Sequence, residues 1–265
     1  MNILQRPRGA IHSVASGPAG APAVLFINAL GTDLRLWEPL MAHLPPGLRI
    51  LRFDTPGHGL SDLRETVDID DIAEDAAALI EAEMQAGGSG PAVVVGQSLG
   101  GVVGQALAAA RPDLVRALVL SCTAARAGTP EMWQERAEAV LDGGMAALAD
   151  PTLERWFGPA FRASPEFALW RNMLLRCPAQ GYAAACGALG RADLTERTAT
   201  LRLPTLALAG EADSSTPPDM VEATARLIPG AAFHVLPGAA HITCVEAPAA
   251  MAARLLPFLQ EHCDV

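Results

Sequence analysis

The sequence predicts an α/β protein with a doubly wound, mostly parallel sheet and one helical insertion. Short apolar runs recur along the chain and alternate with amphipathic stretches. This alternation is typical of parallel strands whose sheet is covered by helices on both faces. It stops over residues 128–198, where no convincing strand occurs. We therefore predict a core made of residues 1–127 and 199–265, and a helical cap made of residues 128–198.

The predicted strands are expected to be buried on both faces, because each is a short run made mostly of apolar residues. In chain order the runs cover residues 24–27, 50–53, 93–95, 118–120, 206–208 and 233–236. Apolar residues at helical spacing predict helices over residues 34–44, 69–84 and 101–110. A closing helix is predicted over residues 248–259, with a proline at its first position.

The charge and the distribution of apolar residues indicate which partners this protein is expected to lack. The chain has 265 residues, a net charge of −10 and an isoelectric point near 5.0. An acidic surface disfavours nucleic acids and anionic lipids as partners. No apolar run is long enough for a membrane span, and the N-terminus lacks the apolar core of a signal peptide. We therefore expect a cytoplasmic enzyme with a small-molecule substrate and neither a nucleic-acid nor a membrane partner.

The cysteines and histidines do not form a metal-binding pattern. Five cysteines occur, the count is odd, and no C-x-x-C pair is present. The histidines are not at ligand spacing. The sequence therefore predicts neither a structural metal site nor a disulfide framework.

The stretch from Gly96 to Gly100 reads G-x-S-x-G and lies between a predicted strand and a predicted helix. In that context the motif predicts a nucleophile elbow, a sharp turn that exposes a strained serine. The glycines remove side chains that would collide where strand and helix nearly touch. Ser98 is therefore the predicted nucleophile.

A serine hydroxyl needs a base, and the base needs an acid that orients it. In this type of fold the acid and then the base follow the serine, each after a later strand. The loop after residues 206–208 offers Glu211 and Asp213, and we favour Asp213, which lies further into the loop. Among six histidines, only His241 follows the last strand, so it is the predicted base. His58 lies on a loop near the site and is expected to be a structural hydrogen-bonding group.

Two backbone N–H groups are expected to stabilise the oxyanion formed during attack. One belongs to Leu99, directly after the nucleophile. The other should come from the loop after the first predicted strand, and we assign it to Leu30.

The elbow, the order of the triad and the position of the insertion resemble the α/β-hydrolase superfamily. Within it, the chain resembles the 3-oxoadipate enol-lactonases of bacterial aromatic degradation, over nearly all of residues 24–259. The most specific matches lie in the cap, around residues 143–150 and 154–157. The chain departs from the lactonase pattern at Ala29, Pro56, Gln97 and Cys244.

The resemblance implies a serine hydrolase that opens an anionic enol-lactone without a metal or organic cofactor. It also implies that Trp133 lines the pocket and that an arginine binds the substrate carboxylate. We assign this role to Arg126, with Arg136 and Arg155 as the next candidates.

Two alternatives stay open. One is a carboxylesterase or a cofactor-free perhydrolase that has the same triad and a different pocket. The other is a ligand-sensing protein that turns its ligand over slowly. The sequence leaves the natural substrate and the oligomeric state open.

Overall fold

The computed structural model describes residues 2–263, which contain one eight-stranded sheet. The strands lie in the order β1-β2-β4-β3-β5-β6-β7-β8. Their bounds are Asn2–Arg6 (β1), Gly9–Ser16 (β2), Ala23–Ile27 (β3), Arg49–Phe53 (β4), Ala92–Gln97 (β5), Val115–Ser121 (β6), Thr205–Gly210 (β7) and Ala232–Leu236 (β8). All six predicted strands occur, and β3 to β8 pair in parallel. The predicted burial is wrong for β8, which lies at an edge of the sheet and buries only Leu236.

The first two strands were not predicted. Strand β1 pairs antiparallel with β2, and β2 pairs antiparallel with β4, so the sheet is mixed at one edge. Strand β1 is largely exposed, and β2 is buried only over part of its length. Neither contains a continuous apolar run, because an edge hairpin is not covered on both faces.

The helices surround the sheet. Their bounds are Glu38–Met41 (α1), Ile69–Gln85 (α2), Leu99–Ala110 (α3), Pro130–Gly143 (α4), Ala146–Trp156 (α5), Pro159–Arg162 (α6), Phe167–Leu175 (α7), Ala179–Arg191 (α8), Thr195–Ala199 (α9), Pro218–Arg226 (α10), Thr243–Glu246 (α11) and Pro248–Cys263 (α12). Among the described helices, none has both the length and the apolar character needed to cross a membrane.

The predicted helices differ from the observed ones chiefly near residue 34. The helix predicted over residues 34–44 is a 3₁₀ turn, Leu34–Trp37, followed by the four-residue α1. Helices α2 and α3 confirm the expectation, and α12 extends four residues beyond the predicted end.

The insertion between β6 and β7 is helical and contains α4 to α9. Helices α4 and α8 pack closely against each other. The backbone of α8 also touches the loop after β4, since a Cβ at Gly57 would lie 2.5 Å from the Cα of Gly181. The division into a core and a cap stays a prediction, and below "the cap" means residues 128–198.

Candidate active site

The elbow carries Ser98 between β5 and α3. Its backbone is strained, with φ 54° and ψ −114°, in a region that L-residues rarely adopt. Its N–H donates to the Ser121 carbonyl at 2.8 Å, and its own carbonyl accepts from the Thr123 hydroxyl at 2.7 Å. A Cβ at Gly100 would lie 2.0 Å from the Ile27 carbonyl oxygen. The strained turn is therefore held by the neighbouring strand and by a contact that only glycine permits.

Asp213 and His241 meet after β7 and β8. The Nδ1 atom of His241 lies 2.8 Å from Oδ2 of Asp213, and both side chains are buried. This contact leaves Nε2 of His241 as the ring nitrogen available to Ser98, and Ser98 and His241 line the same cavity. The arrangement matches the roles of nucleophile, base and orienting acid.

The Asp213 carboxylate accepts several further hydrogen bonds. The backbone N–H groups of Ser215 and Thr216 donate to Oδ1 at 2.7 and 3.1 Å, and the Thr216 hydroxyl donates to Oδ2 at 2.8 Å. Burial by itself raises the pKa of Asp213, but the attraction and hydrogen bond of His241, with those of Thr216, outweigh it. The pKa of Asp213 therefore lies below its usual value, and the group is a carboxylate.

The alternative acid lies elsewhere. Glu211 accepts a hydrogen bond from the Gly238 N–H at 2.8 Å on the protein surface and does not bond to His241. Of the other histidines, His12 pairs with Asp54, and His58 is buried beside the loop after β3. The structure thus brings together Ser98, Asp213 and His241, as the positions after successive strands suggested.

Gln97 contributes a contact that the sequence analysis missed. Its side-chain Nε2 donates to the His241 carbonyl at 2.6 Å, and its Oε1 accepts from the Thr243 hydroxyl at 3.3 Å. Thr243 is in turn 2.9 Å from the hydroxyl of Ser121. All three side chains are buried. A polar residue inside an apolar strand next to the nucleophile was the available signal, because buried amides need partners.

The two predicted oxyanion donors face the same cavity. Leu30 and Leu99 line it together with Ser98. Within residues 2–263, the N–H groups of Leu30 and Leu99 have no hydrogen-bond acceptor. Both amides are therefore free to bind an oxygen atom on a ligand.

The cavity has a volume of about 330 Å³ and is mostly apolar. Loops of the sheet contribute Ser98 and His241, and the insertion contributes residues of α4, α5 and α8. Trp133 is among them, as predicted, and its indole N–H donates to the Ala127 carbonyl at 2.6 Å. The indole ring thus presents carbon atoms, not a polar group, to a ligand.

Two arginines line the cavity. Arg136 donates to the Tyr182 hydroxyl at 2.8 Å and to the Thr152 hydroxyl at 2.6 Å, and both partners are neutral. Among the described residues, no hydrogen bond or ion pair engages the guanidinium of Arg155. Burial lowers the pKa of Arg155, and repulsion from Arg136 lowers it further. Two positive charges therefore lie close together, and no carboxylate within residues 2–263 pairs with either of them.

Arg126 does not line this cavity. Its side chain is 56% exposed, and its guanidinium lies 3.4 Å from the carboxylate of Asp193. The contact holds the start of the insertion to its end, since residue 193 follows α8. The structure therefore moves the candidate cation from Arg126 to Arg136 and Arg155.

One cluster near the triad has the residue types of a metal site. The potential ligand atoms of Cys122, Asp213 and His241 lie within 4.8 Å of one another. Burial, followed by the charge of Asp213, raises the pKa of the Cys122 thiol far above its usual range. A metal ion binds the thiolate, and the Asp213 oxygens already accept hydrogen bonds. The cluster therefore fits a triad with a neutral thiol behind it better than a metal site.

The fold and this site define an α/β hydrolase. Residues 22–248 match the alpha/beta hydrolase fold family, and the chain belongs to that family. It is 34% identical over 248 residues to 3-oxoadipate enol-lactonase 1 of Acinetobacter baylyi, which covers 93% of this chain and 91% of that protein.

Solved structures agree with this assignment. The enol-lactonase from Burkholderia xenovorans LB400 has a TM-score of 0.92 and 32% identity, and covers 98% of this chain and 100% of its own. A malate-bound thermophilic esterase from Thermogutta terrifontis has a TM-score of 0.87 and 29% identity. The match covers 96% of this chain and 94% of the esterase chain. The resemblance to the enol-lactonases is thereby confirmed.

Proposed function

We propose that this protein is a serine hydrolase that opens a small anionic lactone of the 3-oxoadipate enol-lactone type. The observation that carries the proposal is the charge of the cavity. Arg136 and Arg155 line it, and no aspartate or glutamate of the described chain does so. In a chain with a net charge of −10, two arginines without acidic partners favour an anionic ligand.

Acylation uses the triad in its usual roles. The Ser98 Oγ attacks the lactone carbonyl carbon while Nε2 of His241 accepts the hydroxyl proton, and Asp213 holds the imidazole through Nδ1. The N–H groups of Leu30 and Leu99 stabilise the negative oxygen of the tetrahedral intermediate. Collapse of the intermediate breaks the ring C–O bond and leaves an ester between Ser98 and the opened chain.

The leaving group of an enol-lactone is an enolate. It is stable and needs less general-acid assistance than an alkoxide. It becomes a ketone by taking up the proton that His241 received from Ser98, which returns His241 to its neutral form. His241 then removes a proton from a water molecule, which attacks the acyl carbon. The acyl bond to Ser98 breaks, Ser98 recovers its proton, and the product leaves as a keto acid.

The nucleophile assignment has a direct test. A fluorophosphonate should add one adduct mass to the wild-type chain and none to Ser98→Ala, as read by intact-mass spectrometry. Ser98→Ala should retain the melting temperature of the wild type. Labelling of the Ser98→Ala chain, or its unchanged turnover, would contradict the serine mechanism.

The carboxylate assignment is tested with two substrates that share the lactone ring, one with a charged and one with a neutral side chain. These are the enol-lactone and the methyl ester of its side-chain carboxylate, with ring opening followed for both. A charged hydrogen bond contributes about 1.5–3 kcal/mol, so Arg155→Met should lower kcat/KM for the anionic lactone by roughly 10- to 150-fold. The neutral ester should change by less than about threefold.

Arg126→Met is the matched control, because Arg126 is exposed and lies outside the cavity. Arg126→Met should leave kcat/KM unchanged for both substrates. Equal losses on both substrates in Arg155→Met would indicate damage to the fold, and no loss on either would contradict the proposed contact.

A neutral-ester carboxylesterase is the second candidate. The apolar lining of the cavity favours it, as does the similarity to an esterase of known structure. A wild-type enzyme with a higher kcat/KM for an open-chain neutral methyl ester than for the anionic lactone would support this candidate over the lactonase.

A further inference from the structure

The loop after β3 contains Leu30, the second proposed oxyanion donor. A hydrogen bond is useful to an oxyanion only if its N–H points at the right place before the reaction begins. Each peptide unit is planar, so the direction of the Leu30 N–H is set by the orientation of the Ala29–Leu30 unit. The Leu30–Gly31 unit shares the Leu30 Cα with it, so holding that second unit limits how far the first can turn.

The Ala29–Leu30 unit is held by Thr32. The Ala29 carbonyl accepts from the Thr32 N–H at 3.2 Å and from the Thr32 hydroxyl at 2.7 Å. Because a trans peptide directs its C=O and N–H to opposite sides, this turn leaves the Leu30 N–H pointing away from Thr32.

The Leu30–Gly31 unit is held by His58. The Gly31 N–H donates to Nε2 of His58 at 3.1 Å, and Nδ1 of His58 lies 3.1 Å from the Pro56 carbonyl. A carbonyl only accepts, so Nδ1 carries the hydrogen and Nε2 has the free lone pair. Two backbone groups thus determine the tautomer of this histidine.

His58 is suited to a fixed role. It is 1% exposed, and burial lowers its pKa more than its hydrogen bond to Pro56 raises it. The neutral form is the one that can accept from Gly31. Gly31 itself has φ +78°, and a Cβ there would lie 2.8 Å from the Leu174 side chain. The loop is therefore confined on one side by the insertion and on the other by the imidazole.

We propose that His58 is a positioning residue that aims the Leu30 N–H at the oxyanion by holding the Gly31 amide. The inference rests on the proposed function, because it assumes that Leu30 donates to a tetrahedral intermediate. It assigns to a histidine outside the triad a share of the rate, exerted through the backbone and without contact to the substrate.

Two substitutions separate the ring nitrogens. In His58→Gln the amide oxygen can take the place of Nε2 and accept from Gly31. In His58→Asn the amide nitrogen can take the place of Nδ1 and donate to Pro56, and the Gly31 N–H loses its acceptor. Loss of an entire oxyanion donor costs about 10²–10³ in kcat, so a misdirected one in His58→Asn should cost roughly 10- to 100-fold, with KM within about threefold. His58→Gln should recover most of the rate.

Two binding measurements distinguish positioning from general damage. A boronic acid forms a tetrahedral adduct on serine, so its affinity should fall in His58→Asn by about the same factor as kcat. In the Ser98→Ala background, adding His58→Asn should leave the Kd of the unreacted lactone unchanged. Melting temperatures record any loss of stability. Thr32→Val, which keeps the Thr32 N–H bond, provides a second variant should His58→Asn fail to fold, and we expect a smaller loss of kcat there.

The outcomes are distinct from those of the proposed function. Rates are measured with the lactone and with p-nitrophenyl acetate, so the result does not depend on the natural substrate. Full activity in His58→Asn, a loss shared equally by His58→Gln, or a loss in KM alone would overturn the positioning role while leaving the hydrolase proposal intact. A wild type that hydrolyses neither ester would overturn both.

Discussion

Residues 2–263 contain two buried histidine–aspartate pairs with nearly the same geometry. The Nδ1 atom of His241 lies 2.8 Å from Asp213, and that of His12 lies 2.7 Å from Asp54. Asp54 also accepts from the backbone N–H groups of Leu34 and Leu60 at 2.8 and 2.9 Å. Distance and burial therefore do not tell a catalytic pair from a structural one.

The surroundings of the two pairs differ. His241 lines the cavity that contains Ser98, whereas Nε2 of His12 is buried and has no partner within the described part of the chain. The depression that His12 lines also contains Cys177. Burial raises the pKa of that thiol to about 12, so it is protonated at neutral pH and is not a nucleophile comparable to Ser98. A nearby nucleophile and a binding cavity, not the imidazole–carboxylate contact alone, therefore make such a pair useful for catalysis.

The largest expected contrast is in activity. His241→Ala should lower kcat by about 10⁵-fold, because the members of a triad act as a unit. His12→Ala should retain kcat within about threefold at a temperature well below melting. Steady-state rates on the enol-lactone and on p-nitrophenyl acetate give both values. Similar losses of kcat in His241→Ala and His12→Ala would contradict a catalytic role for the His241–Asp213 pair alone.

Substitution of Asp213 should lower kcat far more than substitution of Glu211, the other candidate acid. Asp213→Asn should lower kcat by about 10⁴-fold, because the amide stabilises the wrong imidazole tautomer. Glu211→Gln is the matched control and should have little effect, since Glu211 bonds only to the Gly238 N–H on the surface. A larger loss in Glu211→Gln than in Asp213→Asn would assign the acid to Glu211.

Stability should show the reverse contrast. His12→Ala leaves one buried contact of the Asp54 carboxylate unmade, which costs about 1–3 kcal/mol of unfolding free energy. At roughly 2–4 °C per kcal/mol, the melting temperature should fall by about 2–12 °C. His43→Ala, at an exposed histidine, serves as the control and should leave it unchanged. An unaffected melting temperature in His12→Ala would show that the His12–Asp54 pair is not structural.

The smallest effect should appear in acid. The native pKa of Asp213 lies below its value in the unfolded chain, so its ionisation stabilises the fold above about pH 4 and this contribution is lost as the pH falls through the native pKa. The difference in unfolding free energy between wild type and Asp213→Asn should therefore decrease from pH 5 to pH 3, as measured by urea unfolding. A difference that stays constant over this range would contradict the lowered pKa.

Local patterns were sufficient to predict most strands of the sheet and to select the proposed triad. Strands β3, β5, β6 and β7 are almost entirely buried, and runs of apolar residues mark them in the sequence. Ser98, Asp213 and His241 were proposed from position alone, because parallel strands end at the same edge of the sheet. The edge strands β1 and β2 left no such signal, since they are only partly buried.

The sequence did not predict which arginines of the cap line the cavity. Arg126, Arg136 and Arg155 all lie on or beside amphipathic helices, and no local pattern says which of them faces inwards. Arg136 on α4 and Arg155 on α5 line the cavity, whereas Arg126 lies beside Asp193. Helix packing depends on contacts between residues far apart in the chain, so it is not encoded in any single segment.

The sequence by itself predicted the fold class, the elbow, and the identity and order of the proposed catalytic residues, because these follow from short-range periodicity and from the geometry of parallel sheets. Only the tertiary structure decided which arginines line the cavity, that His12 pairs with Asp54, and that His58 holds the Gly31 amide. The physical reason is that hydrogen bonds and charge pairs join side chains distant in sequence, and their partners are chosen by packing.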